Sequence, residues 1–191
     1  MSLPHAVLGF LRSDPMTGYD LKKRFDATVR HFWPADLAQI YRTLANLAEQ
    51  GLVRIEPVPQ EGKPDRKRHH ITEAGAAELD EWLTRVLPHT DVREATLVQI
   101  FFADGVTDAE ALAMLRGQRD QRAADLAELA ELEGIPLPGE STRDRAAARE
   151  RFFRSLTLDH AIAMTRAEVG WLDCAIERLE AARSERWKPR P

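Results

Sequence analysis

The fold is decided by residues 34–51, which read PADLAQIYRTLANLAEQG. Apolar side chains recur there at spacings of three and four, the repeat that forms one buried face of an α-helix: Leu37, Ile40, Leu44 and Leu47. Pro34 suits the first position of such a helix, and Gly51 suits the position just past its end. The stretch therefore predicts a helix from Pro34 to about Gln50.

Two shorter helices are predicted before this one. The first covers residues 5–12 and stops ahead of Pro15, because a proline disfavours helical geometry in the residue that precedes it. The second starts after a threonine N-cap, Thr17, and ends near Thr28. It is expected to turn three side chains toward a core: Tyr19, Leu21 and Phe25. Residues 29–33 are predicted to form a turn or loop.

A β-hairpin is predicted after Gly51. Its strands are Leu52–Pro57 and Arg66–Ile71, and the loop between them is too long for a tight two-residue turn. A fourth helix opens at Thr72, is expected to close near Pro88 and turns four side chains inward: Leu79, Trp82, Leu83 and Val86. Three helices followed by a hairpin are the order of a winged helix-turn-helix.

The side of the third helix opposite its apolar stripe is the candidate recognition surface for DNA. It presents Ala35, Ala38, Gln39, Arg42 and Asn46, with Tyr41 and Thr43 on the flanks. Small alanines allow close approach, and the longer polar side chains can form paired hydrogen bonds with purine edges. Asp36 is expected to interact favourably with the helix dipole rather than to read bases. The alternative is an ordinary solvated helix face.

The hairpin carries four cations within six residues: Lys63, Arg66, Lys67 and Arg68. Such a wing suits backbone phosphates or the minor groove, and these contacts position a protein without specifying much sequence. The alternative is a solvated charged loop. Thr17 and Tyr19, at the start of the second helix, complete the candidate DNA contacts. His69 and His70 are interpreted as strand residues rather than metal ligands.

Several motifs in the first half resemble the PadR family of transcriptional regulators. They are MTGYDL at 16–21, FWPA at 32–35, QIYRTL at 39–44, EQGLV at 49–53, PDRK at 64–67 and ITEAG at 71–75. They occur in order over roughly residues 3–87. The resemblance implies a winged helix whose third helix and wing bind operator DNA, usually as a homodimer and usually as a repressor. One departure is at 36–38, DLA, where many members have a small polar residue followed by an aromatic one.

Beyond Pro88 the pattern is helical only, with helices predicted over 91–103, 107–133 and 142–184 and a break at 134–139, GIPLPG. The last helix carries two neighbouring apolar stripes. One is Leu158, Ile162, Thr165, Val169, Leu172, Ile176 and Leu179; the other is Phe153, Leu156, His160, Ala163, Ala167, Gly170 and Cys174. Together they are too wide for one packing partner, which predicts an intrachain face plus a homodimer interface. This half resembles the longer PadR subtype in architecture, and a two-fold dimer predicts a pseudo-palindromic operator.

Aromatic and polarisable residues of the last helix are candidates for the dimer interface or for a small-molecule effector pocket: Phe152, Phe153, His160, Met164 and Trp171. The alternative is that they belong to a helical core. His160 is expected to be a buried, hydrogen-bonded histidine, and Cys174 an inert buried thiol.

Composition excludes several classes of protein. The chain has 191 residues, of which 43% are hydrophobic and 30% charged, and this is typical of a soluble globular protein. Net charge is −4, but residues 1–87 carry twelve basic and twelve acidic side chains, so the excess acidity lies in the second half. No apolar stretch is long enough for a membrane span and no secretion leader is recognisable, which predicts a cytoplasmic protein.

The sequence thus predicts a mainly α protein with a winged helix-turn-helix over 1–88 and a helical dimerisation or effector domain over 89–191. It shows no Gly-rich phosphate loop, no metal-spaced ligand cluster and no nucleophile with a base partner, so neither an enzyme nor a cofactor is expected. Two alternatives remain open. One is a metal- or redox-responsive winged-helix sensor, although one cysteine and six scattered histidines make a poor metal site. The other is a winged helix that binds protein instead of DNA.

Overall fold

The computed structural model describes residues 2–59, 66–88, 94–132 and 145–184. The chain divides into two compact units, Met1–His89 and Thr90–Pro191. Within the described residues the first unit has four helices and a small sheet, and the second has helices only. The predicted fold class, mainly α with a winged helix followed by a helical half, is confirmed.

The first unit is a winged helix with one more strand than the sequence predicts. Its elements are α1 (Leu3–Ser13), β1 (Met16–Thr17), α2 (Gly18–Thr28), α3 (Leu37–Glu49), β2 (Val53–Val58), β3 (Arg66–Ile71) and α4 (Glu73–Thr84). The sheet is antiparallel in the order β1-β3-β2. Met16 lies opposite His69, and Val53 lies opposite Ile71. The missed strand, β1, has only two residues, too few to show a periodicity.

Side-chain caps start three of these helices. Thr17 accepts from the amide of Asp20 at 3.2 Å, Asp36 accepts from the amide of Gln39 at 2.6 Å, and Thr72 accepts from the amide of Gly75 at 3.1 Å. Each cap satisfies a backbone donor that would have no partner inside its own helix. Helix α3 ends at Glu49, and Gly51 follows its C-cap residue with a φ of 72°, a conformation that L side chains rarely adopt. The predicted cap Thr17, the predicted opening of α4 at Thr72 and the predicted helix stop at Gly51 are confirmed.

Four expectations about burial and helix ends are wrong. Helix α3 begins at Leu37 instead of Pro34, because Asp36 caps it. Leu37 and Tyr19 lie in the first turns of their helices and are 39% and 56% exposed, since helical side chains lean toward the N-terminus and extend past the core there. Helix α4 ends at Thr84, short of Pro88, and two side chains predicted to face inward are exposed: Leu83 and Val86.

The core of the first unit draws on every one of its helices. Its largest fully buried side chains are Leu8, Leu21, Phe25, Ile40 and Leu44. At one edge, the His5 ring stacks on the Trp82 ring with centroids 4.5 Å apart and contacts Glu78 at 3.2 Å. This contact attaches the beginning of the chain to α4.

The second unit contains α5 (Ala95–Phe101), a short 3-10 turn (Ala103–Gly105), α6 (Asp108–Glu131) and α7 (Arg145–Ser184). Two ion pairs show that α6 and α7 run antiparallel. Arg119 pairs with Asp173 at 2.9 Å, and Arg122, which is later on α6, pairs with Glu168, which is earlier on α7, at 3.0 Å. The predicted break at 134–139 lies outside the described residues. Among the described helices, none combines the length and apolar character that crossing a membrane requires.

Candidate nucleic-acid interface

The outer face of α3 carries polar side chains on a rigid support. Ile40, Leu44 and Leu47 are buried and hold the helix against the core. On the opposite side the structure exposes Ala38, Gln39, Arg42 and Asn46, with Tyr41 on one flank at 48% exposure and Thr43 partly buried on the other. The sequence-predicted recognition residues that lie within α3 are therefore grouped on one accessible or partly accessible side of one helix.

Two of the predicted recognition residues need correction. Ala35 precedes α3 and is only 9% exposed within the core, so it cannot belong to an outward face. Gln39 is exposed, but its Oε1 accepts from the Asp36 amide at 2.9 Å. Because the cap occupies that oxygen, Gln39 keeps its amide NH₂ free as a donor, and a paired contact with a base would require the cap to open.

The start of α2 packs directly against α3. A Cβ built on Gly18 would lie 2.4 Å from the ring of Tyr41, so the tyrosine can cross the beginning of α2 only because residue 18 has no side chain. Tyr19 is exposed, and Lys23 lies 4.7 Å from its ring centroid. Thr17 donates its hydroxyl to Asp20 at 2.7 Å, which makes this threonine primarily a cap.

The wing strand places three exposed cations beside this surface: Arg66, Lys67 and Arg68. Among the described residues, no carboxylate pairs with them or with Arg42 at ion-pair distance. Pairing of β3 with β1 sets Arg68 opposite Thr17, at the start of α2. The fourth predicted wing cation, Lys63, lies outside the described residues. The two-residue strand missed by sequence reasoning is thus what joins the wing to α2.

The two wing histidines have structural partners. His69 is 4% exposed, and its Nδ1 lies 3.3 Å from the Met16 carbonyl oxygen. Burial lowers the pKa of His69, which favours the neutral ring. His70 contacts Glu56 through Nε2 at 2.6 Å. Within the described part of the chain, no three His, Cys, Asp or Glu side chains are grouped closely enough to hold a metal ion.

The second unit has an apolar surface that its described residues leave uncovered. The first stripe of α7 is buried or partly buried, and the whole second stripe, from Phe153 to Cys174, is exposed. The expected burial of His160 and Cys174 is therefore wrong for the single chain. Both side chains are exposed, because α6 covers only one side of α7. Four other candidates are also about half exposed: Phe152, Phe153, Met164 and Trp171.

Comparison with known proteins agrees with this arrangement in both units. Residues 7–81 match the family model of the transcriptional regulator PadR-like family, and residues 92–180 match that of the virulence activator alpha C-terminal domain. The chain is 32% identical to a probable transcriptional regulator of Mycobacterium tuberculosis, over 96% of this chain and 100% of that protein.

Solved structures are similar over nearly the whole length. Bacillus subtilis PadR in complex with operator DNA has a TM-score of 0.80 at 26% identity, covering 94% of this chain and 99% of that one. The same protein in complex with p-coumaric acid has a TM-score of 0.75 at the same identity and coverage. The Vibrio cholerae virulence activator AphA has a TM-score of 0.72 at 28% identity, also covering 94% and 99%. The chain belongs to the PadR-like family of transcriptional regulators.

Proposed function

We propose that this regulator is a homodimeric, cytoplasmic repressor that binds a pseudo-palindromic operator through α3 and the wing. The observation that carries the proposal is that the polar face of α3 adjoins the start of α2, and that the start of α2 in turn adjoins the exposed cations of β3. The operator complex of the B. subtilis relative supports it, since that structure aligns with almost all of this chain.

Sequence reading is assigned to the middle of α3. Arg42 and Asn46 are exposed one helical turn apart, and both can form paired hydrogen bonds with base edges, each worth about 1–3 kcal/mol of discrimination. Ala38 allows the helix to approach the bases, and Gln39 offers a donor from its free amide nitrogen. Tyr41 and Thr43 lie on either side of these base-contacting residues.

Positioning is assigned to the wing and to α2. Side chains alternate along a strand, so Arg66 and Arg68 share one face of β3, and Lys67 points to the other. These cations suit phosphate oxygens or the minor groove, and Lys63 is proposed to extend the same contact. Tyr19, with Lys23 beside its ring, and the capped Thr17 are proposed to face the backbone at the start of α2.

Dimerisation is assigned to the exposed stripe of α7. Its small residues, Ala163, Ala167 and Gly170, would let a second helix approach closely, and Phe153 and Leu156 would supply apolar area at one end. A two-fold pair presents two copies of α3 to two half-sites, with a spacing of about one helical turn of DNA or a multiple of it.

The proposal is tested by comparing variants for selectivity and for salt dependence. Arg42→Ala should reduce the preference for the operator over unrelated DNA, because it removes a base contact. Arg66→Ala should weaken binding to every duplex and lower the slope of log K against log salt by about one, because it removes a phosphate contact. Fluorescence anisotropy of labelled duplexes at several salt concentrations measures both effects.

Arg85→Ala is the matched control, since Arg85 is an exposed arginine at the end of α4, away from α3 and β3 in sequence. It should leave affinity and slope unchanged. Equal binding by the wild type, Arg42→Ala and Arg66→Ala proteins would exclude this surface as the DNA interface.

A further inference from the structure

The helical unit contains a cavity of about 210 Å³ that the DNA-binding surface does not involve. It lies where α5 meets α6 and α7. The residues that matter for its chemistry are Glu94, Leu97, Gln118, Arg122, Glu168 and Trp171. All of them belong to the second unit.

The one cation in this lining is already neutralised. Arg122 pairs through Nε with Glu168 at 3.0 Å and through Nη1 with Asp125 at 3.2 Å. Glu94, by contrast, stands at the N-cap of α5 without a side-chain capping bond, and no ion pair joins it to a cation among the described residues. The described residues that line the cavity therefore carry surplus negative charge.

Aromatic surface adjoins that charge. Trp171 is 45% exposed, and Leu97 beside it is 51% exposed. An indole face attracts cations more strongly than the other aromatic rings do, and nearby carboxylates add to that attraction. Charge and aromatic surface therefore favour the same kind of ligand.

We propose that this cavity binds a small organic cation with an aromatic or apolar body, such as a protonated arylalkylamine. A carboxylate ligand would be repelled by Glu94 and would have to displace Glu168 from Arg122. The ligand expected here thus has the opposite charge to p-coumarate, the anion of the acid bound to the B. subtilis relative. Any effect of this ligand on operator binding rests on the proposed function. The binding of the ligand itself does not, because it is measured on the protein without DNA.

The experiment uses three probes of similar size and different charge: 2-phenylethylammonium, 2-phenylethanol and 3-phenylpropionate. Binding to the full chain is followed by the indole N–H signal of Trp171 in ¹⁵N-tryptophan-labelled protein, assigned with Trp171→Phe. The ammonium should bind at least about fivefold more tightly than the alcohol, and the propionate should bind most weakly of the three.

Charge variants then test the assigned carboxylates. Glu94→Gln should remove most of the preference for the ammonium. Glu168→Gln should do the same and should also strengthen propionate binding, since it removes the carboxylate paired with the Nε of Arg122. Glu131→Gln, an exposed glutamate at the far end of α6, is the matched control and should change nothing.

Equal binding of the three probes, tightest binding of the propionate, or an unchanged preference in Glu94→Gln would overturn the proposal. The same samples are tested for operator binding without a probe. If the protein binds its operator normally but does not distinguish the three probes by charge, only the proposal about the cavity is wrong. If the protein distinguishes the probes but does not bind operator DNA, only the proposed function is wrong.

Discussion

The two units of the chain differ in how completely they bury their own apolar residues. Of eighteen buried hydrophobic side chains among the described residues, twelve lie in the winged-helix unit and six in the helical unit. Large apolar side chains are exposed at the end of α5, where Phe101 is 79% exposed, and in the next residue, Phe102, which is 65% exposed. The first unit is thus close to self-sufficient, whereas the described residues of the second leave much of their apolar surface exposed.

This difference separates the tasks of the two units. A unit with its own core can hold α3 and the wing in a fixed arrangement without help from a partner. A pair of long helices with one apolar face still in water gains stability by burying that face, at about 25 cal/mol for each Å² of apolar surface. Substitutions in the first unit are therefore expected to change its folding stability, and substitutions on the exposed face of the second are expected to change dimerisation.

The largest expected effect comes from a charge placed on the exposed stripe of α7. Ala167→Arg should produce a monomer, because two guanidinium groups would meet at the two-fold interface. Operator affinity should then fall roughly 100-fold, since both half-sites no longer bind as one unit. Sedimentation measures the oligomeric state, and anisotropy measures the affinity.

The control for this change is Ala127→Arg, since Ala127 is also an exposed alanine but lies on α6. It should leave the protein dimeric. A dimeric Ala167→Arg protein with normal operator affinity would contradict the assignment of the interface and would remove the main contrast between the units.

The second effect is confined to the winged-helix unit. A Cβ on Gly75 would lie 2.1 Å from the carbonyl oxygen of Leu52, and a backbone atom cannot move aside cheaply. Gly75→Ala should cost about 2 kcal/mol of the free energy of unfolding, as overpacked core positions do. Hydrogen-exchange mass spectrometry should show about 30-fold less protection in α1–α4 and no change in α7.

Gly9→Ala provides the contrast, because nothing lies within 4 Å of a Cβ there. It should stabilise α1 slightly, since alanine is the better helix former. Loss of protection in both units of Gly75→Ala would show that they unfold together and that the first is not self-sufficient.

The sequence predicted elements with strong periodicity or a side-chain cap. The stripe of Ile40, Leu44 and Leu47 located α3, and Thr17, Thr72 and Gly51 fixed helix ends. The errors are at places where the periodicity stops. Leu37 continues the stripe in sequence but lies in the first turn, and Pro34 has the residue type of a helix start although Asp36 is the cap.

The surfaces were less predictable because exposure depends on neighbours that are distant in sequence. The two stripes of α7 look alike in sequence, yet α6 covers one and leaves His160 and Cys174 on the other exposed. No local pattern indicates that β1 pairs with β3, or that Gly18 is required by the ring of Tyr41. The cavity beside Trp171 brings together residues from three helices, so it could not be inferred from any single segment.

The third expected effect is a pH dependence that belongs to the winged-helix unit alone. Burial lowers the pKa of His69 from its ordinary value of 6.5. Below that value the unfolded chain takes up a proton that the folded chain resists, so stability is present above it and is lost as the pH falls below it, by at most about 1.4 kcal/mol per pH unit. Exchange protection of α1–α4 as a function of pH measures the loss.

His69→Asn keeps an amide donor near the Met16 carbonyl and removes the titrating ring. Its protection should therefore depend less on pH than that of the wild type, whatever its absolute stability. Parallel pH profiles for the two proteins would show that His69 contributes nothing to the dependence.

The smallest expected effect concerns the contact between α2 and α3. In Gly18→Ala the new Cβ would overlap the ring of Tyr41, which is half exposed and can rotate away. Operator affinity should fall about threefold, comparable to the loss of one hydrogen bond, with little change in stability. If the glycine acts only by holding Tyr41 in place, adding Gly18→Ala to Tyr41→Ala should cost nothing further. Additive losses in that double-mutant cycle would instead mean that residue 18 itself approaches the DNA. In that case the backbone at the start of α2 would have to lie close to the DNA, as the backbone of α3 is proposed to do.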